Sequence, residues 1–138
     1  MASIIYNSAL DDAVKGNIDF DTDSFKIMLV TSAYTADKDA HTKRSDVTNE
    51  ASGTGYTSGG DATSVTVTKD TANDRIDIDF SDVSWVSTTI TAAGAVIYKT
   101  TGTAATDNLV AYLDFAGDVT STNGTFTVDI TSPLRIQN

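Results

Sequence analysis

The sequence predicts an all-β fold: an antiparallel β-sandwich or small barrel with one short N-terminal helix and one long polar loop. Two observations carry the prediction. About one residue in six is threonine, whose branched Cβ suits a pleated, half-solvated strand, while proline occurs once, at Pro133. Short apolar runs then recur along the chain, separated by Gly, Asn, Asp and Ser turns. The 138 residues fit a single domain spanning 1–138, long enough to bury a core without metal or disulfide.

The helix is expected over 7–16. Asn7 or Ser8 supplies the cap, Asp11 and Asp12 fall in the first turns at the positive end of the dipole, and Gly16 is a natural stop. Leu10 and Val14 lie four apart and so share one face. The first strand, Phe25 to Thr31, is apolar on nearly both faces and belongs in the middle of a sheet. Ser64 to Thr68 alternates, with Val65 and Val67 pointing one way. Asn73-Asp74 forms a turn into Arg75–Phe80, where Ile76, Ile78 and Phe80 face inward and Asp77 and Asp79 outward. Ile90 to Lys99 is a buried run whose Ala92, Ala93, Gly94 and Ala95 imply close packing. Leu109 to Phe115 follows, and Asn123-Gly124 reads as a hairpin turn into Phe126, Val128 and Ile130. Leu134 and Ile136 close the chain. The stretch 34–60 is the exception: long, polar and glycine-rich toward its end, the kind of loop that carries function or orders against a partner.

Composition restricts the function. Nineteen carboxylates against nine Lys and Arg give a net charge of −10, which excludes nucleic acid and anionic membrane as natural partners. No cysteine is present, so thiol catalysis, thiolate metal sites and disulfides are excluded together. No window approaches a membrane span, and the N-terminal residues lack the basic start and apolar stretch of a signal peptide, so the chain is expected to be made in the cytoplasm.

Catalytic patterns are weak, and neither an enzyme nor a cofactor is expected. His41, the only histidine, sits in the polar stretch Ala40–Asp46, and no G-x-S-x-G elbow is present. Asp19, Asp21 and Asp23 have the look of a calcium loop, but Ser24 and Val30 stand where an EF-hand needs Gly and Glu; the acids read as the polar face of a turn. Gly53-Thr-Gly55-Tyr-Thr-Ser-Gly59-Gly60 lacks the G-K-[ST] ending of a phosphate loop, and its glycines read as turn residues with positive φ. Trp85 with Tyr34 and Tyr56 offers a sugar-stacking platform, against which stands ordinary core packing.

Taken in order, several blocks resemble a family of small proteins encoded among the virion genes of tailed bacteriophages and prophages. They are Ile5–Leu10, Asp21–Tyr34, His41–Glu50, Gly53–Gly59, Ala93–Lys99 and Pro133–Asn138. The resemblance implies a structural component of the virion, most specifically a capsid decoration or cement protein. Such a protein would bind the major capsid protein on the outer face of the head as a homo-oligomer, a trimer by analogy with other decoration proteins. Tail, neck or fibre-associated positions and a glycan-binding module are the alternatives. The expected contact elements are the N-terminal segment and the 34–60 loop, with Lys43, Arg44 and Tyr56 as the candidate interface residues.

Overall fold

A computed structural model describes residues 2–138, and every strand pairing in it is antiparallel. The order is β1 (Ile4–Ile5), α1 (Asn7–Lys15), β2 (Phe25–Val30), a 3₁₀ turn (Arg44–Asp46), β3 (Asp61–Thr63), β4 (Val65–Asp70), β5 (Arg75–Phe80), β6 (Val83–Lys99), β7 (Leu109–Val128) and β8 (Leu134–Gln137). One sheet has the order β1-β7-β6-β2-β3 and the other β4-β5-β8. The pair forms an open sandwich rather than a closed barrel.

The layers follow from side-chain alternation. In β5, Ile78 and Phe80 face the larger sheet while Asp79 faces water, as expected. Phe25, Ile27, Leu29, Ile97, Val110 and Trp85 meet them in the main core, and Phe25 and Phe80 pack edge to face at 5.8 Å. The interior strand β2 is buried on both faces: its Met28 and Val30 join Tyr6, Tyr34, Tyr98 and Leu109 in a second, smaller cluster on the far side of the sheet.

Two expectations are corrected. First, α1 begins after Tyr6, which makes no side-chain cap bond, and no acid lies in its first turn. Gly16 ends it in the left-handed conformation as expected, but the face that packs inward carries Ala9 and Asp12, leaving Leu10 and Val14 in solvent. Asp12 is buried because Asn108 Nδ2 and Asn17 Nδ2 donate to its carboxylate at 2.7 and 3.0 Å, replacing the water it gives up.

Second, Asn123-Gly124 is not a hairpin turn. It lies within β7, a strand of 20 residues, and the hairpin closes instead through residues 100–108. Pairing passes from Thr88↔Gly124 to Ile90↔Ser121, so β7 accommodates an extra residue there, with Asn123 at φ 46°. The same left-handed chemistry that builds a tight turn builds a bulge when the partner strand continues past it.

The 34–60 segment is a long loop, as expected, broken only by the 3₁₀ turn. It packs on the chain's own body through bridges Val30↔Glu50, Lys43↔Asn108 and Thr54↔Thr89, and it buries Tyr34, Ala51 and Gly59. Gly60 shows why its end is glycine-rich. With φ at +76°, a Cβ there would fall 1.8 Å from the Ile27 carbonyl oxygen, so the backbones touch where a side chain would stand.

Candidate interaction surface

The site begins with how α1 is held. Tyr6 donates its backbone N–H to Val110 at 3.1 Å, extending the β1–β7 ladder to the start of the helix. Asp12 ties the helix to Asn108 just before β7, and Asn108 pairs in turn with Lys43. The first half of the loop lies alongside. Asn7 donates its N–H to the Lys38 carbonyl at 3.0 Å and its side-chain amide to Asp39 at 2.5 Å, and the Tyr6 and Tyr34 hydroxyls meet at 2.8 Å. The N-terminal segment and residues 34–46 thus form one continuous surface. Leu10 is 50% exposed on it and Val14 89%.

Within the loop, carboxylates serve as caps. Asp37 accepts the N–H groups of Ala40 and Asp39, which hold its carboxyl below the usual range. Asp46 accepts the N–H groups of Thr42 and Lys43 at 2.8 and 3.0 Å, with the same effect. His41 stacks on Tyr34, and its Nδ1 accepts the Asp37 N–H at 3.3 Å and lies 3.0 Å from the Tyr34 hydroxyl. In the tautomer that leaves Nδ1 without a proton, this nitrogen accepts the Asp37 N–H. His41 therefore braces the loop.

Two of the candidate interface residues have structural partners. Arg44 Nε donates to Asp107 Oδ2 at 2.7 Å, and its guanidinium lies 5.1 Å from the centre of the Tyr98 ring. Asp107 is fully buried, and burial alone would raise its carboxyl. The Thr101 N–H, the Arg44 guanidinium and the Thr101 hydroxyl outweigh that, leaving the group below the usual carboxylate range. Tyr98, pushed up to about 12 by burial, donates its hydroxyl to the Gly59 carbonyl. Tyr56 accepts the Leu29 N–H at 3.0 Å, donates to Glu50 at 2.8 Å and packs against Trp85. Glu50 also receives Ser58 and the Gly59 N–H, fastening the second half of the loop. Lys43 is half-buried, its backbone paired to Asn108.

The structure thus ties Lys43 and Arg44 to Asn108 and Asp107, just before β7, and turns Tyr56 inward. Asp107, Glu50 and Asn108, which hold the surface together, escape sequence reasoning because isolated polar residues between apolar runs carry no periodic signal. The only hint is that Asp107-Asn108 stands directly before the run from Leu109.

The D-F-D-T-D acids do not converge. Asp19 accepts the Asp21 and Thr22 N–H groups, while Asp23 accepts the Asp19 N–H and pairs with Lys99 at 2.9 Å. Among the described residues, no three His, Asp or Glu side chains come together as a cation site. Trp85, Tyr34 and Tyr56 form no exposed platform, since Trp85 and Tyr34 are buried and Tyr56 is half-buried. No protein-family model, curated protein or solved structure matches the chain.

Proposed function

We propose that the chain is a non-catalytic structural protein of a tailed-phage particle, a decoration protein that binds the outer surface of the head and bridges neighbouring copies of the major capsid protein. The reading starts from the sequence blocks that resemble virion proteins. One structural observation carries it further: the N-terminal helix and the first half of the long loop form a single braced face that leaves Leu10 and Val14 in water. Lattice binding gains from such a surface, because a rigid face loses little freedom on docking. Repetition over the lattice, and within an oligomer, then converts modest single contacts into avidity.

The main alternative places the chain in the tail, neck or fibre of the particle. A glycan-binding role loses its stacking residues, because Trp85 and Tyr34 are internal. Cryo-electron microscopy of the intact particle tests the proposal. The expected result is many regular copies on the head, each touching two or more coat subunits through α1 and the 34–46 segment. Density confined to the tail would overturn it in favour of the alternative.

A further inference from the structure

An edge strand leaves backbone N–H and C=O groups unpaired, and shortness, charge or proline normally guards it. Most edges of this molecule are guarded. β1 and β3 are short, β4 carries Lys69 and Asp70, and β8 follows Pro133 and carries Arg135. The second half of β7 is not. β1 pairs only with Ala111 and Tyr112, and the Asp114 N–H goes to Ser3 Oγ. Beyond that point β7 has β6 on one side and no strand on the other. Residues 119–128, Val-Thr-Ser-Thr-Asn-Gly-Thr-Phe-Thr-Val, contain neither charge nor proline, in a chain of net charge −10.

Backbone irregularity narrows the part that can pair. β7 loops out between Asp114 and Val119, with Ala116 and Gly117 at positive φ, and bulges again at Asn123. Residues 124–128 run regularly. Val83↔Val128, Ser84↔Thr127 and Trp85↔Phe126 are consecutive pairs, and the extra residue between Trp85 and Thr88 belongs to β6. Phe126 and Val128 point into the core, whereas Thr125 and Thr127 are exposed on the outer face. Alternate residues of this stretch turn their N–H and C=O groups outward.

Charge selects both the occupant and the register. A basic or acidic segment finds no charge on 124–128 to pair with, whereas a second copy brings an equally uncharged strand. Two such strands pair antiparallel about a two-fold axis. With the axis between Asn123 and Gly124, Asp118 would face Asp129 of the second copy, and like charges directly opposite repel. With the axis through Phe126, Asp129 faces Asn123, an amide donor. Thr125 then faces Thr127, and their hydroxyls can bond as Ser84 with Thr127 and Thr91 with Thr120 do at 2.8 Å within the chain's own sheet. Gly124, which has no side chain, lies opposite Val128. The two Phe126 rings meet beside a hollow that Phe115 and Val119 also line.

We infer that two copies of the chain join edge to edge, residues 124–128 of each continuing the other's larger sheet antiparallel about a two-fold axis at Phe126. The contact is isologous and closes at two copies, in place of the trimer expected by analogy. So short an interface is weak in dilute solution and gains where copies are crowded. This inference does not depend on what the α1 face binds.

Because the chain has no cysteine, introduced thiols test the register directly. Thr125→Cys and Thr127→Cys are made as separate variants and mixed in a glutathione redox buffer. Opposite residues of antiparallel strands have Cα atoms about 4.5–5.5 Å apart, within disulfide reach, while residues two places off are about 7–8 Å apart. The mixed disulfide should therefore form about tenfold faster than either variant's disulfide with itself. Sedimentation equilibrium of the unmodified chain should show the mean mass rising toward two chains between about 10 µM and 1 mM. Thr125→Lys with Thr127→Lys changes only exposed side chains. It should keep the circular dichroism of the fold and weaken dimerisation about tenfold, and mixing it with Thr125→Glu, Thr127→Glu should restore pairing. A chain still monomeric at about 1 mM, or undiminished dimerisation of the lysine variant, would overturn the inference. So would cross-linking no faster in the mixture than within either variant, or dimerisation abolished instead by Leu10→Glu with Val14→Glu.

Discussion

Asp107→Ala tests the reading that the 34–60 segment is held by buried polar bonds rather than waiting for a partner. Asp107 is inaccessible to water and accepts the Arg44 Nε at 2.7 Å, the Thr101 N–H at 2.6 Å and the Thr101 hydroxyl at 2.8 Å. Its removal leaves the Thr101 N–H unsatisfied and strands a guanidinium against Tyr98. A broken buried pair costs about 3–5 kcal/mol, but the Arg44 side chain keeps 23% of its surface in water. The expected loss is therefore near the lower end, about 3 kcal/mol, which for a domain of this length lowers Tm by about 10 °C. Urea denaturation at neutral pH measures it. The carboxyl lies lower in the folded state than in the unfolded one, so its contribution is present above the unfolded value near pH 4 and fades as pH falls through the lower folded value. The gap between wild type and variant should accordingly narrow in acid. A loss under about 1 kcal/mol at neutral pH, or a gap that widens in acid, would refute the reasoning.

Other perturbations separate framework from surface. Gly60→Ala forces a Cβ to 1.8 Å from the Ile27 carbonyl and should cost more than about 3 kcal/mol, whereas Gly102→Ala, also at positive φ but with open space around it, should cost only about 1 kcal/mol; thermal melts of both compare them. Leu10→Glu with Val14→Glu should leave stability within about 0.5 kcal/mol while abolishing co-sedimentation with the capsid, and unchanged co-sedimentation would count against the α1 face. Tyr56→Phe should cost about 1–2 kcal/mol by leaving the Leu29 N–H without its acceptor and removing one of the three donors to Glu50, measured by urea denaturation. Burial raises the hydroxyls of all five tyrosines, so the stability they confer is intact below pH ~10 and lost above it. Tyrosinate absorbance should therefore rise together with loss of the near-ultraviolet dichroism, and a rise that precedes unfolding would contradict the buried positions.

The sequence by itself determined the fold class, the order of most strands and the inward face of β5. Those properties follow from local alternation, which Ile76, Ile78 and Phe80 display without reference to any neighbour. The left-handed stop at Gly16 and the turn at Asn73-Asp74 were equally local. Only tertiary structure decided what Asn123-Gly124 does, because a left-handed pair makes a turn or a bulge according to whether the partner strand ends or runs on. It also decided the fate of Leu10 and Val14. Their spacing marks a helix face, but which face packs inward was set by Asp12 finding Asn108, 96 residues away in the chain. The long loop is the clearest case. Its polarity reads as exposure, yet Asp37, Asp46 and Glu50 turn that polarity inward onto backbone N–H groups and hydroxyls, and Arg44 turns its own onto the carboxylate of Asp107. The free edge of β7 is likewise a product of sheet order, since only strand pairing decides that β1 stops at Ala111 and Tyr112 and that no strand lies beyond them.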